Sequence, residues 1–229
     1  MKKLFVVAPH PDDETLGTGG TIRRFADAGW AVTVLTVGAH MPPLYTSETH
    51  ETTVRESRAA QAVLGVSDSI FLDQPAVYLN EMPVAELNAF ILDPIESAAP
   101  DVLLVPFYDR HVDHRAIFDA CMVAARPVGP GRNIKLVAAY ETISETHWNA
   151  PHIGPNFTPN FCIDISKQID AKIEAVSCYA SQMHEFPGPR SIEALRALAL
   201  FRGSQAGYAY AEAFHVLRMG AELFIPGAD

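Results

Sequence analysis

Thiols are scarce in this chain. It holds three cysteines, Cys121, Cys162 and Cys178, in 229 residues. They are odd in number, widely spaced and without a Cys-x-x-Cys pair, which excludes a disulfide framework and a thiolate zinc site. They read instead as small hydrophobes in a reducing compartment. Positive charge is also short. Lys and Arg number 17 against 27 Asp and Glu, a formal net charge of −10, the wrong sign for gripping nucleic-acid phosphates. No stretch reaches the ~20 unbroken apolar residues of a membrane span. The apolar run Leu4 to Ala8 is too short for the core of a signal peptide, and His10-Pro11-Asp12-Asp13 follows it at once. The expectation is a cytoplasmic protein with no nucleic-acid and no membrane partner. Neither an internal repeat nor a low-complexity linker divides residues 1–229, and 48% hydrophobic content suffices for one substantial core. The chain is therefore read as a single domain. Charged residues at 19% and 17 prolines predict long, ordered loops.

What is present is alternation. Leu4 to Ala8, Ala31 to Val37, Ser69 to Leu72, Asp101 to Pro106 and Lys135 to Tyr140 are short, nearly continuous apolar runs of strand type. Between them, apolar spacing predicts helices from about Gly19 to Ala28, Thr49 to Leu64 (stopped by Gly65), Val84 to Ala98 (interrupted by Pro94) and Ile117 to Ala125. Strands without polar alternation, separated by helices, indicate a parallel sheet covered on both faces. The fold class is α/β: a Rossmann-like, doubly wound, mostly parallel sheet with helices on both faces. Two more helices follow, Ser166 to Gln182 with Ser166 as N-cap and Ser191 to Phe201, then a closing strand, Ala213 to Leu217. The Pro/Asn-rich stretch Pro151 to Asn160 reads as a loop. The glycines of Gly17-Thr18-Gly19-Gly20 come too late after the first strand for a dinucleotide fingerprint. They suit close approach of a helix to the sheet.

In open α/β sheets, ligands bind beyond the carboxyl ends of the strands. Ala8-Pro9-His10-Pro11-Asp12-Asp13-Glu14 follows the first strand, and Phe107-Tyr108-Asp109-Arg110-His111-Val112-Asp113-His114 follows the fourth. Any one of these residues could merely cap a helix or share a hydrogen bond, and Glu14 could act only on a helix dipole. Packing both sets at one sheet end without a cation would be costly, however. Imidazole plus carboxylate without thiolate suits Zn²⁺, with Fe²⁺, Mn²⁺ or Co²⁺ as substitutes. Three protein ligands and one open position make a catalytic site, and the surplus groups can serve as acid, base and orienting partners. Spacing alone leaves open whether Asp12 or Asp13 is the ligand.

These paired motifs resemble the PIG-L/LmbE-like family of zinc-dependent N-deacetylases. So do T-x-x-R-E-x-R-A-A-x-x-L-G around Arg55 to Gly65, D-I-S-K-Q-I-D-A-K near Ile165 and A-E-A-F near Phe214, so the resemblance covers most of the chain. Such enzymes act on N-acetylglucosamine conjugates, including mycothiol and bacillithiol precursors and glycosylphosphatidylinositol intermediates, and on some antibiotic sugars. The resemblance implies His10, Asp13 and His114 as metal ligands and Asp12 as general base toward water. It implies His111 as oxyanion donor or acid to the leaving amine, with Asp113 orienting His111. It also implies a small amino-sugar substrate and a homo-oligomer, a trimer or hexamer.

Substrate contacts are less marked. Tyr108 could reach the oxyanion or pack in the core. Arg55 could meet substrate hydroxyls or pair with Glu51 or Glu56, and Asp73 could meet a sugar hydroxyl. His40 and His50, in the loop after the second strand, read as exposed. His147, Trp148, His152, Phe157 and Asn160 suit carbohydrate stacking or a subunit contact, and His184 and Arg190 suit helix-terminus chemistry. The rival functions are an amidase for a larger N-acyl group of an antibiotic or thiol conjugate, and a non-catalytic metal- or sugar-binding protein. Asp12, which three-ligand binding does not need, speaks for catalysis.

Overall fold

The structure, a computed structural model, describes residues 1–223. Strand β1 (Lys3–Ala8) sends Leu4, Val6 and Ala8 to one face of the sheet and Phe5 and Val7 to the other, and all five are buried. Both faces are therefore covered, and this is why the run shows no polar alternation. Helix α1 (Asp13–Asp27), β2 (Ala31–Ala39), α2 (Ser47–Leu64), β3 (Asp68–Pro75), α3 (Val84–Ala98), β4 (Val102–Pro106), α4 (Val112–Ala124) and β5 (Leu136–Tyr140) follow. The chain then adds β6 (Phe161–Asp164), α5 (Ile169–Ser177), α6 (Ile192–Ala206) and β7 (Ala211–Met219). The seven strands form one sheet in the order β3-β2-β1-β4-β5-β7-β6. The first five are mutually parallel, and β7 runs antiparallel to β5 and β6. Leu87, Ile91 and Ile95 of α3 and Ile117 and Cys121 of α4 fill one face. Ile22 of α1, Ala60 and Leu64 of α2 and Ala175 of α5 fill the other. The Rossmann-like α/β architecture matches the expectation.

Two helices begin earlier than their apolar spacing predicts. Helix α1 starts at Asp13 rather than about Gly19, and α4 starts at Val112 rather than Ile117. Their first turns are built from polar residues, on which hydrophobic periodicity is silent. The acidic side chains there, Asp13 and Glu14 in α1 and Asp113 in α4, are favoured by the helix dipole. Pro94 does not interrupt α3, which runs through it with Leu87, Ile91 and Ile95 buried on either side. Packing of that stripe outweighs the missing backbone donor. Ser166 is not an N-cap: its hydroxyl donates to Asp164 Oδ1 at 2.6 Å, and α5 begins only after Gln168. Strand β6 carries little sequence signal, being four residues long and entered from the Pro/Asn-rich loop.

One coupling ties β5 to β1 and two more hold α1 in place. Tyr140 donates its hydroxyl to the Val7 carbonyl at 2.8 Å. Glu212 of β7 accepts from the backbone N–H groups of Gly20 and Thr21, and Lys172 of α5 reaches the Leu16 carbonyl at 2.7 Å. A Cβ at Gly17 would stand 2.7 Å from the Glu141 carbonyl oxygen, whereas one at Gly19 would come no nearer than 3.3 Å to anything, the flexible Lys172 Cγ. Gly17→Ala is therefore expected to lose about 1–3 kcal/mol, a drop in melting temperature of roughly 3–10 °C. Gly19→Ala should stay within about 1 kcal/mol, because gained helix propensity offsets the tighter contact. Thermal unfolding of the two variants followed by circular dichroism checks the contrast.

Candidate active site

Strands β1 and β4 are parallel neighbours, with Val6 opposite Leu104, so both motifs leave the sheet at one edge. That edge is the point at which the order of strands reverses about β1, where α/β sheets open a crevice. His10 stands two residues past β1. Asp12 has φ 120, a conformation L-residues rarely adopt, and it turns the chain into α1 without a side-chain capping bond. His111 caps α4, its Nδ1 accepting the Asp113 backbone N–H at 3.2 Å.

The hydrogen bonds fix which nitrogen of each buried ring stays free. His10 Nε2–H donates to Asp113 Oδ2 at 2.8 Å, leaving its lone pair on Nδ1. His114 Nδ1–H donates to Asp109 Oδ2 at 3.0 Å, leaving its lone pair on Nε2. Each of these two free nitrogens lies 3.3 Å from Asp13 Oδ2. Two ligands at 2.0–2.1 Å from a tetrahedral zinc stand about 3.3–3.4 Å apart. Asp13 Oδ1 and His114 Nε2 are buried and find no hydrogen-bond partner among the described residues. The residues thus fit a small divalent cation. His111 shares the cluster, since one ring nitrogen each of His10, His111 and His114 lie within 4.8 Å of one another. Its ring is less buried than the other two and edge-on to His10, 4.7 Å between centroids.

Charge tells the same story. Asp12, Asp13, Asp109 and Asp113 are all buried at this one point. Burial works against a charged His10, yet its hydrogen bond to Asp113 and the adjacent Asp13 carboxylate win and push it up to about 9. Burial likewise opposes a charged His114, but Asp13 and Asp109 raise it to about 10. The pocket demands positive charge, from protons or from a metal. His111 goes the other way, lowered to about 4 by burial and by the cationic His10 and His114. A neutral His111 whose Nδ1 accepts carries its proton on Nε2, as a donor. Burial drives Asp12 up to about 7 against the pull of Arg190, with Asp13 and Glu14 adding to the rise.

The site corrects the role expected of Asp113. Its carboxylate orients His10, and it touches His111 only through its backbone N–H. A second support holds that carboxylate: the Val77 backbone N–H donates to Asp113 Oδ2 at 2.6 Å. His40, read as exposed, instead stacks against His10 at 6.0 Å and meets Tyr45 edge-on at 4.8 Å. The expected substrate groups lie apart from this cluster. Arg55 is exposed and bonds Thr52 on its own helix at 3.3 Å. Asp73, half exposed, sits 3.5 Å from His50. Tyr108 packs edge-on to Phe118, with Arg115 over its ring.

Two functional groups escaped the sequence reading. Asp109 is buried, holds His114, accepts the His111 backbone N–H at 3.0 Å and takes a hydrogen bond from Thr146. Its one signal was a second carboxylate, beside Asp113, in the motif after the fourth strand. Arg190 donates to Asp12 Oδ2 at 2.7 Å across 178 residues of chain, which no local spacing encodes.

Fold and site together are a Rossmann-like sheet with a buried His/Asp cluster beyond the carboxyl ends of β1 and β4. Residues 5–125 match the family model for PIG-L, GlcNAc-PI de-N-acetylase, and the chain belongs to that family. It is 30% identical to the diacetylchitobiose deacetylase of Thermococcus kodakarensis, over 99% of this chain and 84% of the relative. It superposes on a conserved protein of Thermus thermophilus with TM-score 0.78 and 28% identity, covering 100% of both chains. The fold is also shared with the 4-carboxy-2-hydroxymuconate hydratase of Pseudomonas putida, at TM-score 0.76 and 20% identity, over 95% of this chain and 96% of that one.

Val77 has φ 72, unfavourable for a β-branched residue, while its N–H is committed to Asp113. Val77→Gly keeps the donor and relieves the backbone, so stability should hold or rise by up to about 1 kcal/mol. Val77→Pro loses the donor and cannot adopt that φ, and should cost at least about 2 kcal/mol. Denaturant unfolding of both variants tests the assignment.

Proposed function

We propose that the protein is a zinc-dependent N-deacetylase. It hydrolyses the N-acetyl amide of a small amino-sugar compound, an N-acetylglucosamine conjugate, glycoside or nucleotide sugar. The observation that carries the reading is the convergence of two free imidazole lone pairs on Asp13 Oδ2, both at 3.3 Å, beside a buried carboxylate that binding does not require. Family membership and a deacetylase relative support it further.

His10 Nδ1, His114 Nε2 and Asp13 would hold the zinc, with Fe²⁺, Mn²⁺ or Co²⁺ as substitutes. When bound, such an ion supplies Lewis acidity, which brings deprotonation of water near neutral pH. Asp12 takes the proton of the attacking water on its carboxylate. His111 Nε2–H donates to the amide oxygen as negative charge develops there. The leaving amine then receives a proton held by Asp12 or delivered by His111. Asp109 and Asp113 keep the two ligand rings in register. Asp73, half exposed beside His50, is the expected residue best set for a sugar hydroxyl. Arg55 and Tyr108, engaged on their own helix and against α4, are assigned to outer contacts.

The protein works as one domain over residues 1–229, supported by a single sheet that joins every described strand. Unpaired Cys121, Cys162 and Cys178 support a reducing, cytoplasmic setting, and no helix among the described residues is long and apolar enough to cross a membrane. Exposed Leu200 and Phe201 on α6 support self-assembly.

A fluorescamine assay of amine release on N-acetylglucosamine, N,N′-diacetylchitobiose, nucleotide sugars and longer-chain N-acyl glucosamines, run with metal analysis, tests the proposal. Free amine from the acetylated sugars is expected. Release from the longer acyl amides alone would shift the reading to an amidase, and a zero rate with bound zinc would shift it to a binding protein. Asp12→Asn should keep the metal and lose about 10²–10⁴-fold in kcat, whereas His10→Ala and His114→Ala should lose metal and activity together. Asp109→Asn should weaken metal affinity by about 10–100-fold.

A further inference from the structure

Asp12 cannot hold its own side chain. It precedes α1 at φ 120, makes no capping bond, and is flanked by the buried carboxylates of Asp13 and Glu14, which repel it. One group restrains it from outside. Arg190 Nη1 donates to Asp12 Oδ2 at 2.7 Å, with side-chain exposures of 20% for Arg190 and 3% for Asp12.

We infer that Arg190 is a positioning residue for the base, holding one carboxylate oxygen of Asp12 so that the other faces the reacting water. The inference rests on the deacetylase reading for the role of Asp12. The contact is single-armed: Oδ2 is engaged, while Oδ1 bonds no side chain among the described residues. A bidentate clamp would occupy both oxygens and blunt the base. Arg190 is itself anchored. Its carbonyl accepts the His184 N–H at 3.1 Å, closing the turn that leads into α6, and the next residue, Ser191, caps that helix by accepting the Ala194 N–H. The guanidinium thus arrives from a rigid corner rather than from a free loop. Energetics favours a functional origin as well. Buried ion pairs add little net stability compared with apolar packing of the same volume, so a lone arginine brought across the fold to one carboxylate needs another reason. Orientation of the base is such a reason, because small misplacements of reacting groups are expensive in rate.

The test uses the zinc-loaded full chain with N,N′-diacetylchitobiose and the variants Arg190→Gln and Arg190→Lys. Arg190→Gln should lower kcat about 10–100-fold with KM within about two-fold, as expected when a group acts on the transition state alone. Bound zinc and melting temperature should match the parent protein. Arg190→Lys should recover part of the rate. A crystal structure of Arg190→Gln should show the Asp12 carboxylate rotated. An unchanged kcat, a raised KM with intact kcat, or loss of zinc or stability parallel to the loss of rate would each overturn the inference. Should the parent protein turn over no amide at all, the deacetylase reading fails instead. The crystal structure then decides alone, and an unmoved Asp12 carboxylate in Arg190→Gln would overturn the positioning role.

Discussion

Strands β1 and β4 pair in parallel, Leu4 to Val6 opposite Val102 to Leu104, and the chemistry hangs on that pairing. His10 and His114 are 104 positions apart in the chain and meet only because both strands end at the same edge. A register slip of one residue would turn every side chain of a strand to the opposite face. Such a slip would swap Leu4, Val6 and Ala8 with Phe5 and Val7 between two close-packed faces, and the shapes of those cores oppose it. Core packing therefore sets the position of the His10 and His114 rings.

Once the rings are close, each is locked by a carboxylate behind it. Asp113 and Asp109 orient His10 and His114, and each of these is supported in turn, by the Val77 N–H and by Thr146. This layering explains a concentration of buried acids that would otherwise destabilise the fold. Asp12 pairs with the Arg190 guanidinium, while Asp13, Asp109 and Asp113 lie against the imidazoles of His10 and His114. The high affinity of His10 and His114 for protons is the cation-free expression of a site shaped for positive charge.

Much of this was legible in the sequence for a definite reason. Continuous apolar strands announce a sheet covered on both faces, and post-strand His/Asp clusters announce a site at its edge. The limits are equally physical. Hydrophobic periodicity could not see that α1 and α4 begin inside the motifs, at Asp13 and Val112, because those turns are polar. The family resemblance paired Asp113 with His111, its near neighbour in sequence. In three dimensions the carboxylate points to His10 instead. His40 looked like a loop histidine, and only the fold carries it against His10. Arg190 was beyond reach, as its partner lies 178 residues away.

The hydratase that shares this architecture shows that the sheet does not dictate the reaction. In this chain the telling feature is a pair of adjacent carboxylates, Asp12 and Asp13, in different surroundings. Asp13 faces two imidazoles that hold it ionised, well below the usual carboxylate range despite its burial. Asp12, one residue earlier, is turned by its positive φ toward Arg190, and burial lifts it to about 7. One carboxylate is held charged by its imidazole neighbours, and the other is lifted toward neutrality by burial. Adjacent acids with such divided environments are the pattern of a site that binds with one and transfers protons with the other. A purely metal-binding protein would gain nothing from straining Asp12 into that position.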